Sequence, residues 1–416
     1  MKKILCSIFT LLLISTVAFA DSLQLSGEFE GGKLYQAGKI NVVVMKGSFY
    51  EMGRQYGSLL QNEFKEFYDM MAKQSGIGTE KVSFNDALTM MKAGLEEQPF
   101  YVKEWVRGMG ETSGLGADKQ IIASQGLSAI LMSGGCSGMI AWDKYSKDGN
   151  TVVGRNWDLG TKALAPYQKF LTVAVFNPTG SAQSVADINY IGQIMWQSAI
   201  NQSGLFYDLQ NGQMCDSTVA KNRLNSNSAL MSMMLDSTSF KQVEGFFDGI
   251  RSQSGILINA ADVKQGACFE WATNDYRKRV DDEKGLVCSA NNFTDPTWRS
   301  SVSIPDGAHG GFTKERTNNL LALGKKYKGQ IDANKMMQFF STEIPQGGPS
   351  FDEASGLKTY YIIVAVPNES KLWLNVRDLQ DWTEIDLKPL FQKEIRVSGN
   401  QRVGYQILNA DVPIPR

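Results

Sequence analysis

A cysteine followed by a basic and an acidic residue is the part of this sequence best suited to chemistry. Cys136 lies in Gly134-Gly135-Cys136-Ser137, and Gly154-Arg155-Asn156-Trp157-Asp158 follows after a turn. Arg155 can stabilise a thiolate and so lower the pKa of the thiol, and Asp158 can accept hydrogen bonds from an ammonium group. On the residues alone, a reactive thiol and a buried cysteine beside a surface ion pair are equally good interpretations.

The histidine content limits which general base such a thiol could use. The chain has a single histidine, His309, in a glycine-rich stretch. A zinc site built on several histidines is therefore excluded. Any Ser-His-Asp or Cys-His pair would have to use that one residue. We expect the base to come from elsewhere, and a His309-dependent cysteine hydrolase stays as an alternative.

A predicted β-hairpin positions the cysteine beside the arginine and the aspartate. Residues 139–142 and 151–157 read as strands, and Lys147-Asp148-Gly149-Asn150 between them reads as a turn. The second strand of a hairpin returns alongside the first. Arg155 and Asp158 are therefore expected next to Cys136.

The rest of the chain predicts runs of strands that alternate with runs of helices. Strands are expected at residues 39–46, 170–176, 193–200, 205–209, 256–260, 267–272, 286–290, 359–366, 371–376 and 383–387. Helices are expected at residues 49–73, in the stretch that follows up to 131, and from Ser239, Lys314 and Asp332 onward. The absence of a regular strand-helix-strand period favours an α+β layered fold in one compact domain.

The N-terminal residues are typical of a secretory signal peptide. Lys2 and Lys3 precede an apolar stretch that ends in Ala18-Phe19-Ala20, ahead of Asp21. Cleavage near Ala20 predicts a periplasmic or secreted protein. No later window approaches the run of about 18 apolar residues that a membrane span needs. No stable membrane anchor is expected.

Charge and cysteine content exclude further classes of protein. The 43 acidic and 42 basic residues are spread along the chain, so neither nucleic acid nor an anionic membrane is an expected partner. Beyond Cys6, the four remaining cysteines are too few for a disulfide framework. Cys268 and Cys288 could pair or stay as separate thiols, and Cys215 reads as a loop residue. We expect no cofactor and no metal, and leave a homo-oligomer open.

Several stretches together resemble the isopenicillin N acyltransferase and choloylglycine hydrolase group of N-terminal-nucleophile hydrolases, which includes penicillin V acylases and acid ceramidase-like enzymes. The GCS at residues 135–137 followed by GRNWDL at residues 154–159 carries the resemblance most strongly. Residues 47–57 look like the pro-segment signature of the acyltransferase branch. The stretch from Asn201 to Asn211 resembles the segment that supplies an oxyanion-hole amide.

Two later segments extend the resemblance over most of the chain after the signal peptide. Ala290-Asn291-Asn292-Phe293 resembles the strand end whose first Asn contacts the amino group of the nucleophile. Glu315-Arg316-Thr317 resembles a segment that carries an active-site arginine. The catalytic residues that the resemblance implies are Cys136, Arg155, Asp158, Asn211, Asn291 and Arg316.

The resemblance implies a fold and a maturation step. The fold would be α+β, a four-layer αββα sandwich. Self-cleavage of the Gly135-Cys136 bond would divide the chain into a signal peptide (residues 1–20), a pro-segment or α chain (residues 21–135) and a catalytic β chain (residues 136–416), which together form one compact domain. The freed amino group has an ordinary pKa of about 7.7 to 8.0 and could serve as the general base. A catalytic histidine would then not be needed.

The resemblance also implies a reaction. Cys136 would attack a small-molecule N-acyl amide and form a thioester, with Arg155 holding the thiolate and Asn211 donating to the oxyanion. Asp158 and Asn291 would orient the amino group. Water would complete a hydrolysis, or an amine would complete a transfer. The alternatives are an acyltransferase on the same scaffold and a non-catalytic exported binding protein in which Cys136 is merely buried.

Overall fold

The computed structural model describes residues 23–127, 135–160, 164–212, 225–298, 312–352 and 356–392. The strands are β1 (Gln24–Phe29), β2 (Gly32–Ala37), β3 (Ile40–Gly47), β4 (Gly135–Asp143), β5 (Gly149–Gly160), β6 (Leu171–Pro178), β7 (Val185–Tyr190), β8 (Ser198–Asn201), β9 (Phe206–Asn211), β10 (Ile256–Ala261), β11 (Gly266–Trp271), β12 (Tyr276–Arg279), β13 (Leu286–Ser289), β14 (Leu357–Val366), β15 (Lys371–Val376) and β16 (Gln380–Asp386). The helices are α1 (Phe49–Leu59), α2 (Gln61–Ser75), α3 (Phe84–Glu96), α4 (Phe100–Thr112), α5 (Gly116–Ala123), α6 (Ser226–Asp236), α7 (Phe240–Gly249), α8 (Thr313–Lys326) and α9 (Ala333–Ser341).

The described strands form two sheets. The larger sheet has the order β1-β2-β3-β6-β7-β8-β9-β10-β11-β12, and the smaller has the order β13-β4-β5-β14-β15-β16. Strands β3 and β6 pair in parallel, and the other strand pairs of these two sheets are antiparallel. The larger sheet is therefore complete only when β3 pairs with β6, which lies more than a hundred residues further along the chain.

The two sheets pack face to face between layers of helices. Strand β4 contacts β9, β10 and β11 of the larger sheet. Helix α1 packs on the outer face of the larger sheet with α4 against it, whereas α8 and α9 pack on the outer face of the smaller sheet. This is an α+β fold with the layer order helix, sheet, sheet, helix. The fold class predicted from the sequence is confirmed.

Among the residues that the structure describes, apolar side chains form two separate core clusters. The larger cluster fills the space around the larger sheet and its helices, and it contains Cys268. The smaller lies between the smaller sheet and helices α8 and α9, and it contains Cys288. Both thiols are free and buried. They do not pair, because each belongs to a different layer of the sandwich.

The predicted helix over residues 49–73 is two helices in the structure. Helix α1 begins at a capping box, in which the Ser48 hydroxyl accepts from the Glu51 amide and the Glu51 carboxylate accepts from the Ser48 amide. It gives way to α2 at Leu60, which takes a non-helical conformation. The single long helix was wrong, because the apolar spacing continues through the break.

Other predicted elements differ from the structure in extent. The strand expected at residues 193–200 is only β8, and β1, β2, β7, β12 and α6 were not predicted. The signal peptide, Cys215 and His309 lie outside the described residues. Of the helices that the structure describes, none has the length and apolarity needed to cross a membrane.

Candidate active site

Cys136 is the second residue of β4 and pairs across the hairpin with β5. The register places Cys136 opposite Trp157, Gly135 opposite Asp158, and Gly138 opposite Arg155. The predicted hairpin is confirmed. Because cross-strand partners share a face of the sheet, Arg155 projects from the face that carries the thiol.

The main chain of Cys136 is held by two side chains from distant parts of the sequence. Its amide nitrogen donates to Asn291 Oδ1 at 2.7 Å. Its carbonyl oxygen accepts from Arg316 Nη1 at 2.9 Å. Asn291 follows β13 with a left-handed φ of 45°, and Arg316 lies in the first turn of α8. The amide nitrogen and the carbonyl oxygen of Cys136 are therefore both held by side chains.

The sulfur of Cys136 lies beside the Arg155 guanidinium. Arg155 Nη2 is 3.7 Å from Sγ and also donates to the Leu209 carbonyl at 2.7 Å, while Nη1 donates to the Ser198 hydroxyl. Burial raises the pKa of the Cys136 thiol above its ordinary value, although the charge of Arg155 pulls that pKa downward. In the uncut chain, burial outweighs the effect of Arg155.

Asp158 is fully buried and bonded to two partners. Its Oδ2 accepts from Arg316 Nη1 at 3.0 Å, and its Oδ1 accepts from the Thr359 hydroxyl at 2.6 Å. Burial raises the pKa of Asp158 to about 6, against the opposite effects of Arg316 and Thr359. Burial also lowers the pKa of Arg316. In the uncut chain Asp158 thus reaches Cys136 through Arg316, and its bond to the freed amino group stays a prediction.

Asn291 and Arg316 connect the remaining parts of the site. Arg316 Nη2 donates to Asn291 Oδ1 at 2.9 Å, and Asn291 Nδ2 donates to the Asn211 carbonyl at 2.6 Å. Asn211 ends β9 and is partly buried. Its main chain joins the site. An oxyanion role for its side chain stays a prediction.

An aromatic cluster packs beside the thiol. Trp157, opposite Cys136, stacks on Tyr361 with ring centroids 5.3 Å apart and meets the edge of Tyr190 at 5.7 Å. Tyr190 belongs to the larger sheet and Tyr361 to the smaller. The thiol therefore adjoins an apolar surface built from both sheets.

The structure brings five predicted residues into direct or bridged contact, and it adds two that were not predicted. The five are Cys136, Arg155, Asp158, Asn291 and Arg316. The additions are Thr359, which lies opposite Asp158 on β14, and Ser198, which holds Arg155. Within the described ranges, no three His, Cys, Asp or Glu side chains converge as metal ligands would.

Comparisons with known proteins give no family model and no curated protein that matches the chain. Solved structures that match include a variant of conjugated bile acid hydrolase from Clostridium perfringens, at 14% identity over 62% of this chain and 95% of that chain, with a TM-score of 0.42. A Caenorhabditis elegans ortholog of N-acylethanolamine-hydrolyzing acid amidase matches at 14% identity, over 59% of this chain and 95% of that chain, with a TM-score of 0.40.

Penicillin V acylase from Agrobacterium tumefaciens matches at 8% identity over 61% of this chain and 86% of that chain, with a TM-score of 0.38. These solved structures belong to the group that the sequence resemblance named. At such identities and TM-scores the likeness carries no conclusion about chemistry. What the site does has to be inferred from its own geometry.

Proposed function

We propose that the protein is an exported, autoprocessing cysteine amidase of the N-terminal-nucleophile type that cleaves the amide bond of a small N-acyl substrate. The observation that carries the proposal is the 2.7 Å hydrogen bond from the Cys136 amide nitrogen to Asn291 Oδ1. That nitrogen would become the free amino group once the Gly135-Cys136 bond is cut. Its acceptor is already in place before the cut.

The proposed processing step is an attack of Cys136 on the peptide bond that precedes it. Cys136 Sγ attacks the Gly135 carbonyl carbon, the C–N bond to Cys136 breaks, and a thioester joins Gly135 to Sγ. The thiol proton ends on the departing nitrogen. Water then hydrolyses the thioester, which leaves a Gly135 carboxylate and restores the thiol. Arg316 keeps the Cys136 carbonyl fixed throughout, because it is bonded to that oxygen and to Asp158.

Turnover would repeat this chemistry on an external amide. The amino group of Cys136 accepts the thiol proton while Sγ attacks the substrate carbonyl, and the same proton passes to the leaving amine. Arg155 stabilises the thiolate that forms. Asn211 donates to the developing oxyanion. Water releases the acid from the thioester and returns a proton to sulfur.

The aromatic cluster supports an apolar acyl group as the part of the substrate next to sulfur. Trp157 and Tyr361 stack beside the thiol and are both buried, so the substrate group next to sulfur would meet an apolar environment. An apolar acyl group of this kind is compatible with the small-molecule N-acyl amide that the sequence resemblance implies.

The decisive experiment is intact mass with N-terminal sequencing on the wild-type protein, beside Cys136→Ala and the control Cys288→Ala, which removes a buried thiol from the other core cluster. We expect chains that begin near Asp21 and at Cys136 for the wild type and the control, and one uncut chain for Cys136→Ala. A start near Asp21 would also test export after signal cleavage.

The cut protein is then assayed with N-acyl amides for release of free acid. An added primary amine that diverts the acyl product would indicate the acyltransferase alternative. Retained activity in His309→Ala would remove the histidine-dependent alternative. A single uncut chain in all three proteins would remove the amino-group base and favour the binding-protein alternative.

A further inference from the structure

A cluster of four polar side chains fills the space between the sheets near the thiol. Asp208 and Gln210 come from β9, Asn259 from β10 and Ser289 from β13, and all four are buried. The proposed reaction assigns none of them a role. Buried polar groups are costly unless they are bonded, so a cluster in this position calls for a physical reason.

The cluster is closed on itself around the Asp208 carboxylate. Gln210 Nε2 donates to Asp208 Oδ1 at 3.1 Å and to Ser289 Oγ at 2.9 Å. Asn259 Nδ2 lies 3.2 Å from both carboxylate oxygens. Ser289 Oγ donates to Asn259 Oδ1 at 2.8 Å. These bonds fix the carboxylate and tie both sheets together two residues before Asn291.

The cluster packs directly on the strand of the nucleophile. A Cβ atom added to Gly138 would lie 2.1 Å from Asn259 Nδ2 and 3.3 Å from Asp208 Oδ2. Gly138 is two residues after Cys136 and is the cross-strand partner of Arg155. Only a glycine at this position lets the carboxylate come so close to the arginine strand.

Strand register places Asp208 on the Arg155 side of the larger sheet. Asp208 is the cross-strand partner of Ser198, whose hydroxyl accepts from Arg155. The other buried aspartate of this region, Asp187, pairs with Ala199 and so lies on the opposite face. Of these two aspartates, Asp208 therefore lies on the face of the larger sheet where the Arg155 guanidinium contacts Ser198.

The buried charge of Arg155 favours a carboxylate in its surroundings. Two guanidinium groups are buried at the site, and Arg316 has Asp158 as its ion-pair partner. The direct partners of Arg155 are a carbonyl, a hydroxyl and the thiol, which are all uncharged. A buried cation without a counter-charge costs several kcal/mol. The charge of Asp208 raises the pKa of Arg155, and the charge of Arg155 in turn pulls the pKa values of Asp158 and Asp187 downward.

We propose that Asp208 is a positioning residue whose carboxylate holds the Arg155 guanidinium at the Cys136 sulfur, with Gln210, Asn259 and Ser289 fixing that carboxylate. The proposal rests on the proposed function, in which Cys136 is the nucleophile. Asp208 acts through Arg155 and touches neither substrate nor sulfur.

The charge of Asp208 and its placement of Arg155 have opposite effects on the pKa of the Cys136 thiol. The charged and titratable groups that act on the Cys136 thiol are Arg155 and Asp158 from β5, Asp208 from β9, Tyr361 from β14 and Arg316 from α8. By its charge alone, Asp208 disfavours the thiolate, so neutralising it would lower the pKa of the thiol. Losing the placement of Arg155 would raise the same pKa. The direction of change separates the two roles.

The test is the rate of alkylation of Cys136 by iodoacetamide across a pH series, read by peptide mass spectrometry on the processed protein. The variants are Asp208→Asn and the matched control Asp236→Asn. The control neutralises a half-buried aspartate of α6, and burial raises the pKa of that aspartate to about 6. We expect Asp208→Asn to move the midpoint upward by about one pH unit. The control should leave it in place.

Turnover gives a second measurement on the same variants. We expect Asp208→Asn to lower kcat by about tenfold with KM nearly unchanged, because a displaced arginine affects the reacting sulfur and not substrate binding. A midpoint that stays or moves downward would overturn the proposal.

Two further outcomes have a different meaning: a variant that cannot be measured, and a wild-type protein that shows no reactivity. If Asp208→Asn does not fold or is not cut, Ser289→Ala takes its place, since it loosens Gln210 and Asn259 around the carboxylate. It should raise the midpoint by a smaller amount, and no rise would count against the proposal. If the wild-type thiol is not alkylated at any pH and hydrolyses no amide, the proposed function has failed, not the role of Asp208.

Discussion

Asn291 holds a left-handed backbone conformation that asparagine tolerates better than alanine does. Its side chain bonds Cys136, Arg316 and the Asn211 carbonyl. We expect Asn291→Gly and Asn291→Ala to slow processing alike, by about tenfold or more, because both remove a buried acceptor. Both variants should lose stability with these bonds, and the alanine variant should lose about 1 kcal/mol more than the glycine variant because of its backbone conformation.

Processing is followed as the rate at which the two chains appear. Stability is measured by denaturant unfolding in a Cys136→Ala background, so that every chain compared is uncut. Normal processing in the glycine variant would show that the backbone conformation, and not the side-chain bonds, is what matters.

Asn211 gives a prediction about turnover. A well-aimed oxyanion donor contributes about 3 kcal/mol to transition-state stabilisation. We therefore expect Asn211→Ala to lower kcat by about a hundredfold while the unfolding midpoint changes little, since this residue is partly exposed at the end of β9. Intact turnover in this variant would remove the oxyanion role.

Thr359 gives a prediction about pH. Because the pKa of Asp158 is raised to about 6, protonation should break the Asp158-Arg316 pair as the pH falls through that value, and processing should slow. The Thr359 hydroxyl stabilises the ionised form, so Thr359→Val should raise this pKa further and shift the loss of processing to higher pH.

The matched control is Thr151→Val, on β5, where the buried hydroxyl has no hydrogen-bond partner. It should process with the wild-type pH profile. Identical profiles for Thr359→Val and the wild type would show that Asp158 does not control the acid side.

At the residue scale, what the sequence could predict depended on distance along the chain. The hairpin of Cys136, Arg155 and Asp158 is local, so turn chemistry and alternation were sufficient to place it. Thr359 and Asp208 are brought to the site by the order and facing of strands, which alternation does not encode. Asp208 did leave one signal, an acidic residue inside a buried strand, where such residues are rare.

At the element scale, the stretch at residues 47–57 that resembled a pro-segment signature has a packing role. A Cβ atom on Gly53 would lie 2.2 Å from the Trp105 carbonyl oxygen, so α1 approaches α4 at this glycine. Gly53→Ala should therefore separate the helices and cost about 1 to 3 kcal/mol.

The control for this variant is Gly245→Ala in α7, where an added Cβ meets nothing within 4 Å. It should stabilise the protein by a few tenths to about 1 kcal/mol, since alanine is the better helix former. Denaturant unfolding of both variants measures the difference. Equal stability for Gly53→Ala and the wild type would contradict close packing of α1 on α4.

Elements with a long apolar run or one clear apolar face were predicted, and several elements without such a sequence pattern were missed. Strands β3, β14 and β15 have long runs of apolar residues, and α9 has apolar residues at helical spacing. Strand β1 is mostly exposed and so lacks the apolar alternation that marks a strand. Helix α6 is buried on nearly all sides, so its apolar residues do not define one face.

At the scale of the whole molecule, the predicted α chain is part of the core. Strand β3 pairs with β6 inside the larger sheet, and Phe49 and Trp105 pack their rings on Phe176. Residues 21–135 contain no cysteine, so no disulfide joins them to the rest. We expect the two chains to stay together after cleavage by packing and hydrogen bonds alone.

Size-exclusion chromatography under native conditions should give one peak that contains both chains, and denaturing electrophoresis without reductant should separate them. Cys136→Ala should give one band in each case. Loss of the smaller chain from the native peak would mean that the pro-segment is released.

The groups that hold Cys136 lie 155 and 180 residues further along the chain. Under the proposed function, the cut therefore works as a checkpoint on folding: a truncated or misassembled chain lacks Asn291 and Arg316 at the scissile bond and stays inert. Contacts of such long range form late and slowly. The new N-terminus of each active molecule would therefore show that the end of β13 and the start of α8 had reached their places.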